Sequence, residues 1–100
     1  KMACLGLSFK PDIDDLRGSP ALSIVDKISG MGFLKVMVVE PNIYKLPDDL
    51  NENLVTLISS DMAIKVADIV VLLVGHTPFK SIDLSSLSGR KIIDTCGIWS

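Results

Sequence analysis

Apolar positions along this chain fall into short unbroken runs of strand length, separated by stretches in which they recur every three to four residues. Met2 to Phe9 is mostly apolar, as a strand buried on both faces reads. A charged loop follows, and then Ser19-Pro20 opens a helix: serine suits the N-cap and proline the first helical position. Behind that start Ala21, Leu22, Ile24, Val25, Ile28 and Met31 repeat at helical spacing, with Asp26, Lys27 and Ser29 on the other side. Gly30 and Gly32 supply the stop, Gly32 suiting the left-handed position after the last turn. Lys35 to Glu40 predicts a second strand, ended by Pro41. Asn42 to Asn53 is polar, contains Pro47 and Asp48-Asp49, and reads as a turn with at most a short helix. Leu54 to Ile58 predicts a short third strand at an edge. Ser59 or Ser60 caps a second helix through Ala67, with Met62, Ala63, Val66 and Ala67 facing inward.

Ile69 to Val74 is the most hydrophobic run and predicts a central strand, after which Gly75-His76 must turn sharply. Thr77-Pro78 repeats the cap-plus-proline start, so Phe79 begins a short helical turn, and Ser81 to Gly89 holds another short helical piece. Lys91 to Asp94 is the last strand. Strands alternating with helical segments imply right-handed crossovers. The expected fold is α/β: a three-layer Rossmann-like domain with a mostly parallel five-stranded sheet in the order 3-2-1-4-5.

Composition narrows the class. One hundred residues make one domain, 1–100, able to bury roughly two-thirds of the unfolded chain's surface. A hydrophobic content of 48% with only 5% aromatic residues fits a core of valine, isoleucine and leucine. No apolar run approaches the ~20 residues of a membrane span, and no signal peptide or basic leader is visible, so the chain reads as cytoplasmic with no membrane partner. A net charge of -2 argues against nucleic acid, which needs a basic face. Cys4 and Cys96 make neither a disulfide framework nor a metal-ligand spacing, so no metal is expected. A core strand directly after Lys1 reads as a fragment cut from a longer protein.

Candidate chemistry concentrates in the loop after the first strand, because open α/β sheets bind ligands at the carboxyl ends of their strands. Between Phe9 and Ser19 lie Lys10 and Arg17, with Asp12, Asp14 and Asp15. A dinucleotide would need G-x-G-x-x-G here so that the backbone could approach its pyrophosphate. The stretch after Gly6 is Leu-Ser-Phe-Lys-Pro, with bulk where glycine is required. Glu40, at the end of the second strand, does not rescue that idea and reads as a solvated carboxylate. Lys10 is placed either to meet a phosphate as a point charge or to pair with Asp12 or Asp14 at the surface. Arg17, just before the helix cap, is better placed for a structural clamp on Asp14 or Asp15 than for an anion at the helix start. His76 reads as a hydrogen-bonding loop residue rather than a catalyst. A receiver-like signalling domain would need a phosphorylatable Asp ending a central strand, where this chain has Gly75-His76.

The run Gly6-Leu7-Ser8-Phe9-Lys10-Pro11-Asp12-Ile13-Asp14-Asp15-Leu16-Arg17-Gly18-Ser19-Pro20 resembles the signature opening the C-terminal domain of the UDP-glucose/GDP-mannose dehydrogenase family, with Gly18 where members usually have Glu. The likeness continues through Val39-Glu40-Pro41, Ala67-Asp68-Ile69-Val70, Gly75-His76-Thr77-Pro78-Phe79 and Ile93-Asp94-Thr95, and is nearest the branch that oxidises UDP-N-acetyl-mannosamine to its uronate. It implies a UDP-binding domain of an NAD-dependent UDP-sugar 6-dehydrogenase, with Phe9 and Lys10 in the nucleotide-sugar site and Arg17 a weaker candidate. By the same resemblance NAD binds an N-terminal domain, the nucleophilic cysteine lies in an earlier region, and the parent is a homo-oligomer. No catalytic residue is then expected here, and the fragment alone should be inert. Members carry an arginine near the position of Cys96; Arg90 precedes the last strand and should lie at the opposite edge. The alternative is a stand-alone nucleotide- or phosphate-binding regulatory module.

Overall fold

Met2–Leu5 forms β1, whose four residues are all buried. The apolar run continues to Leu7, but the strand stops at Gly6, which turns to a φ of 100°. A Cβ at Gly6 would stand 2.6 Å from that of Val74, so the loop passes the neighbouring chain where only glycine fits. The expected strand to Phe9 is thus shorter, and Leu7 and Ser8 are buried as irregular backbone. The computed structural model describes residues 1–31, 35–48, 50–51 and 53–99. Gly32, expected at the helix stop, and Asp49 of the polar turn lie outside the described residues.

Helix α1 spans Pro20–Ser29, and the Ser19 hydroxyl accepts the Leu22 N–H at 3.3 Å, as the sequence anticipates. It buries Ala21, Leu22, Val25 and Ser29, while Ile24 and Met31 stand exposed. Met31 lies past the helix end, and Ile24 falls at the margin of the buried stripe. Ser29 takes a place in that stripe because its hydroxyl is satisfied on the Asp26 carbonyl at 2.8 Å. Strand β2 is Val36–Val39, β3 is Val55–Leu57, and helix α2 is Ser60–Val66, capped by Ser59. Helix α2 turns Ala63 inward, and Ala67 just past its end is buried too, both as expected; Ile64 packs beside them, while Met62 and Val66, expected inward, stand outside. Strand β4, Ile69–Leu72, leads to helix α3, Thr77–Lys80, then to a 3-10 turn at Leu84–Leu87 and strand β5, Lys91–Asp94.

The sheet order is β3-β2-β1-β4-β5, and all neighbouring pairs run parallel. Alternation along the strands divides the core in two. Met2, Cys4, Val36, Val38 and Val71 pack with Leu22 and Val25 of α1 and with Leu50. Ala3, Leu5, Met37, Val70 and Leu72 pack with Ala63 of α2, Phe79 of α3 and Leu87. Three layers result. Among the described residues no helix is long and apolar enough to cross a membrane.

Candidate functional site

The chain leaves β1 toward β2 on one side and β4 lies on the other, so the direction of winding reverses at β1. Such a reversal marks the edge where open α/β sheets bind ligands, at the strands' carboxyl ends beside the loops after β1 and β4. The β1 loop carries the sequence-predicted Phe9, Lys10 and Arg17, and the β4 loop carries His76.

Glu40 is the hub of this edge. It follows Val39, which pairs with Leu5, so it stands level with Gly6 and beside the turn out of β1. The expected solvated carboxylate is 3% exposed. Its Oε1 accepts the N–H groups of Leu7 at 2.9 Å and Ser8 at 3.1 Å, and its Oε2 accepts the Asn42 N–H at 3.0 Å. A buried carboxylate is tolerable because these donors replace water. The two amides at this turn are thereby occupied by the chain's own side chain.

His76 is fully buried, with its ring edge on Phe79 at 5.4 Å between centroids. Its Nδ1 accepts the Asp12 N–H at 2.7 Å, so the ring proton sits on Nε2, which donates to Glu40 Oε1 at 2.7 Å. Ser8 Oγ lies 3.2 Å from Nε2 and donates to the Lys10 carbonyl at 2.7 Å. The hydrogen-bonding role read from the sequence holds. Asp12 takes a φ of 64°, a conformation aspartate tolerates better than most residues. Its carboxylate accepts the Thr77 N–H and the Thr77 hydroxyl, each at 2.7 Å. Thr77, expected as a helix cap, instead ties the two loops together. The Thr77 hydroxyl, then its N–H, hold the Asp12 carboxyl below the usual aspartate range.

Phe9 is 48% exposed and Lys10 is exposed beside it. Among the described residues Lys10 has no ion-pair partner: Asp12 is turned to Thr77 rather than to Lys10. Arg17 does meet Asp15, through two hydrogen bonds of 3.1 Å, and not Asp14. That pair is exposed rather than buried, at 92% for the Arg17 side chain and 41% for Asp15. The Arg17 hydrogen bond lowers the Asp15 carboxyl in turn. The structure thus sets Phe9 and Lys10, both exposed, on the carboxyl edge in a loop held by the buried Ser8, Glu40 and His76, and commits Arg17 to its own loop.

Of the residues that build this edge, sequence reasoning passed over Ser8, read Glu40 as solvated, and named Asp12 only as a partner for Lys10. One signal was available for Glu40: adjacent parallel strands place the residue ending the second beside the turn after the first. Arg90 lies at the opposite edge as expected, its guanidinium on the carbonyls of Ala67, Ser86 and Lys65. A cleft of about 420 Å³, lined by Glu40, Pro41, Ile58, Ser60 and Phe79 among others, opens beside the hub. Among the described residues no group of His, Cys, Asp or Glu is placed to hold a metal ion.

A family model described as "UDP-glucose/GDP-mannose dehydrogenase family, UDP binding domain" matches residues 3–100. The chain is 46% identical over 99 residues to UDP-N-acetyl-D-mannosamine dehydrogenase of Salmonella typhi, covering 99% of this chain and 23% of that protein. It is 48% identical over 99 residues to NDP-N-acetyl-D-galactosaminuronic acid dehydrogenase of Ralstonia nicotianae, with the same coverage, 99% and 23%. The crystal structure of a ternary complex of GDP-mannose dehydrogenase from Pseudomonas aeruginosa matches with a TM-score of 0.78 at 28% identity, over 98% of this chain and 25% of that one.

Proposed function

The chain belongs to the UDP-glucose/GDP-mannose dehydrogenase family as its UDP-binding domain, and on that premise we propose that it grips the UDP end of a UDP-sugar in an NAD-dependent 6-dehydrogenase. The substrate we assign is UDP-N-acetyl-mannosamine, whose 6-hydroxymethyl group the parent enzyme takes to a carboxylate in two oxidations. NAD accepts the hydrides, and its site belongs to another part of the protein, since the β1 turn here has Leu-Ser-Phe-Lys-Pro after Gly6, with bulk where a dinucleotide site requires glycine. The chain spans about a quarter or less of the relatives it matches. We therefore assign it N-terminal and central regions as partners in a homo-oligomer. The stand-alone regulatory module is the weaker reading, because each of those relatives is about four times longer.

The observation that carries this reading is Lys10, with no ion-pair partner among the described residues, next in the chain to the exposed Phe9, on the carboxyl edge and at the reversal of winding. An ammonium on a flexible stem meets a diphosphate as a point charge, and an exposed ring offers the base a face to stack on. Arg17 remains a secondary contact at the start of α1. The domain contributes by orientation: energy gained at the UDP end holds the remote sugar carbon in place for oxidation.

Parallel titration of the full-length enzyme and its Lys10→Ala variant with UDP and with NAD tests this. A charge-assisted contact contributes about 1.5–3 kcal/mol, so UDP should bind about tenfold or more weakly. NAD affinity should stay nearly constant. Equal UDP affinities, or equal losses for both ligands, overturn the assignment.

A further inference from the structure

We propose that the buried Glu40–His76 pair is a positioning device for Lys10, fixing the β1 loop so that its ammonium and the Phe9 ring meet the diphosphate and base of the nucleotide. The proposal rests on the UDP-binding reading above. Between Ser8 and Ser19 the loop has no helix or strand of its own, and its internal bond from the Phe9 N–H to the Asp15 carbonyl at 2.8 Å is joined by contacts from outside it. A single imidazole makes such contacts on both sides of Lys10. Its Nε2 faces Ser8 at 3.2 Å, and its Nδ1 holds the Asp12 N–H at 2.7 Å. The Lys10 carbonyl itself is held by the Ser8 hydroxyl at 2.7 Å.

Glu40 fixes the imidazole in turn. By accepting the Nε2–H at 2.7 Å it sets the tautomer that leaves Nδ1 free to receive Asp12. The same oxygen holds the Leu7 and Ser8 amides, so one buried atom anchors both the root of the loop and the ring that clamps its tip. His76 is 0% exposed and Glu40 3%, and the polar atoms of the pair are spent on each other and on the loop. Their effect on binding has to pass through the loop. Closing a turn over a hydrophobic core needs no such pair; an apolar residue at position 76 would avoid desolvating a carboxylate and an imidazole. The pair specifies one loop conformation.

The test is a double-mutant cycle in the full-length enzyme. His76→Gln keeps a donor toward Glu40 but places no acceptor at the Nδ1 position that receives the Asp12 N–H, and should weaken UDP binding by about three- to tenfold, a part of what Lys10 contributes. In a Lys10→Ala background the same substitution should change UDP affinity by less than about twofold. Losses of equal size in the two backgrounds, or no loss with Lys10 present, overturn the proposal. Glu40→Gln is the milder second variant. Its amide can still accept from Leu7 and Ser8 through oxygen but faces the Asn42 N–H with a donor, and it should give the same non-additivity if His76→Gln folds poorly. Hydrogen exchange of the Asp12 amide in the ligand-free protein provides an independent arm. Its protection should fall in His76→Gln, and retained protection overturns the clamp. The two readings fail differently. A Lys10→Ala enzyme that binds UDP normally ends the UDP role of Lys10 and its positioning together. A weakened Lys10→Ala enzyme with unaffected His76→Gln and Glu40→Gln ends the positioning alone.

Discussion

Two cations in one loop have opposite situations: Arg17 is committed to Asp15, and Lys10 to nothing among the described residues. The Arg17 pair is open to water, where screening and side-chain entropy leave little net gain. Arg17→Ala should therefore scarcely move the melting temperature, and should change UDP affinity by less than about threefold. A tenfold loss of UDP affinity at unchanged melting would identify Arg17 as a direct ligand. Asp12 differs from both, since its carboxylate ties the β1 loop to Thr77. Its folded pKa lies below the ordinary value near ~3.9, chiefly through the Thr77 hydroxyl. The stabilisation is thus complete above that ordinary value and is lost as pH falls through the lower folded one. The protection factor of the Thr77 amide, its exchange relative to an unfolded chain at the same pH, should hold steady from neutral pH to about 4 and fall only below it. In Asp12→Asn, which retains a neutral acceptor, that acid transition should be absent. Loss of protection already near pH 6 would point to a different group. The sequence placed Asp12 among the loop's charges but could not give its partner, because Thr77 arrives from another strand's end.

At the scale of elements, the sequence was legible where one local signal suffices. Ser19-Pro20 starts α1 as expected because the cap and the fixed proline φ act within a single turn. Lys91 to Asp94 is read to the residue, bounded by Gly89 and by the polar residues after Asp94. The end of β1 was not legible, since hydrophobicity continues to Leu7 and the limit is set by contact with Val74. The faces of α1 and α2 were only half legible, because Ile24 falls at the margin of the stripe that α1 buries, and Met62 and Val66 of α2 stand outside. Gly6 and Gly18 separate local from tertiary demand. Both have positive φ, 100° and 69°, but a Cβ at Gly6 meets Val74 at 2.6 Å while one at Gly18 meets nothing within 4 Å. Gly18→Ala should lower stability by about 1–2 kcal/mol, the cost of left-handed backbone. Gly6→Ala should cost more than that, through overlap with Val74, and should also weaken UDP binding because Leu7 and Ser8 follow directly. Denaturant melts of the two variants decide it, and equal losses would mean that Val74 yields without strain.

Over the whole molecule, strand order was recoverable from the alternation of elements, and with it the edge at which Lys10 stands. The buried group that holds the Lys10 loop was not, because burial of Glu40 depends on donors from Leu7, Ser8, His76 and Asn42 converging in three dimensions. The two cysteines report on the sheet and on its edge separately. Cys4 sits in β1, paired on one side with β2 and on the other with β4, and has no exposed surface. Burial pushes its thiol up to about 12, so at neutral pH it is both inaccessible and protonated. Cys96 lies exposed in the loop beyond β5. Alkylation at pH 8 followed by peptide mapping should therefore find Cys96 modified promptly and Cys4 only as fast as the sheet itself opens. A nucleotide that binds only the folded domain should slow Cys4 further, in proportion to its concentration over its dissociation constant, and leave Cys96 exposure to local motion. The sign with pH follows from the raised value: the stabilisation from an uncharged Cys4 is whole below the free thiol's range near ~8.5 and disappears as pH climbs toward 12. Cys4 labelling as fast as Cys96 would mean that β1 opens without global unfolding, and an edge built on the turn after β1 could not then hold Lys10 in place.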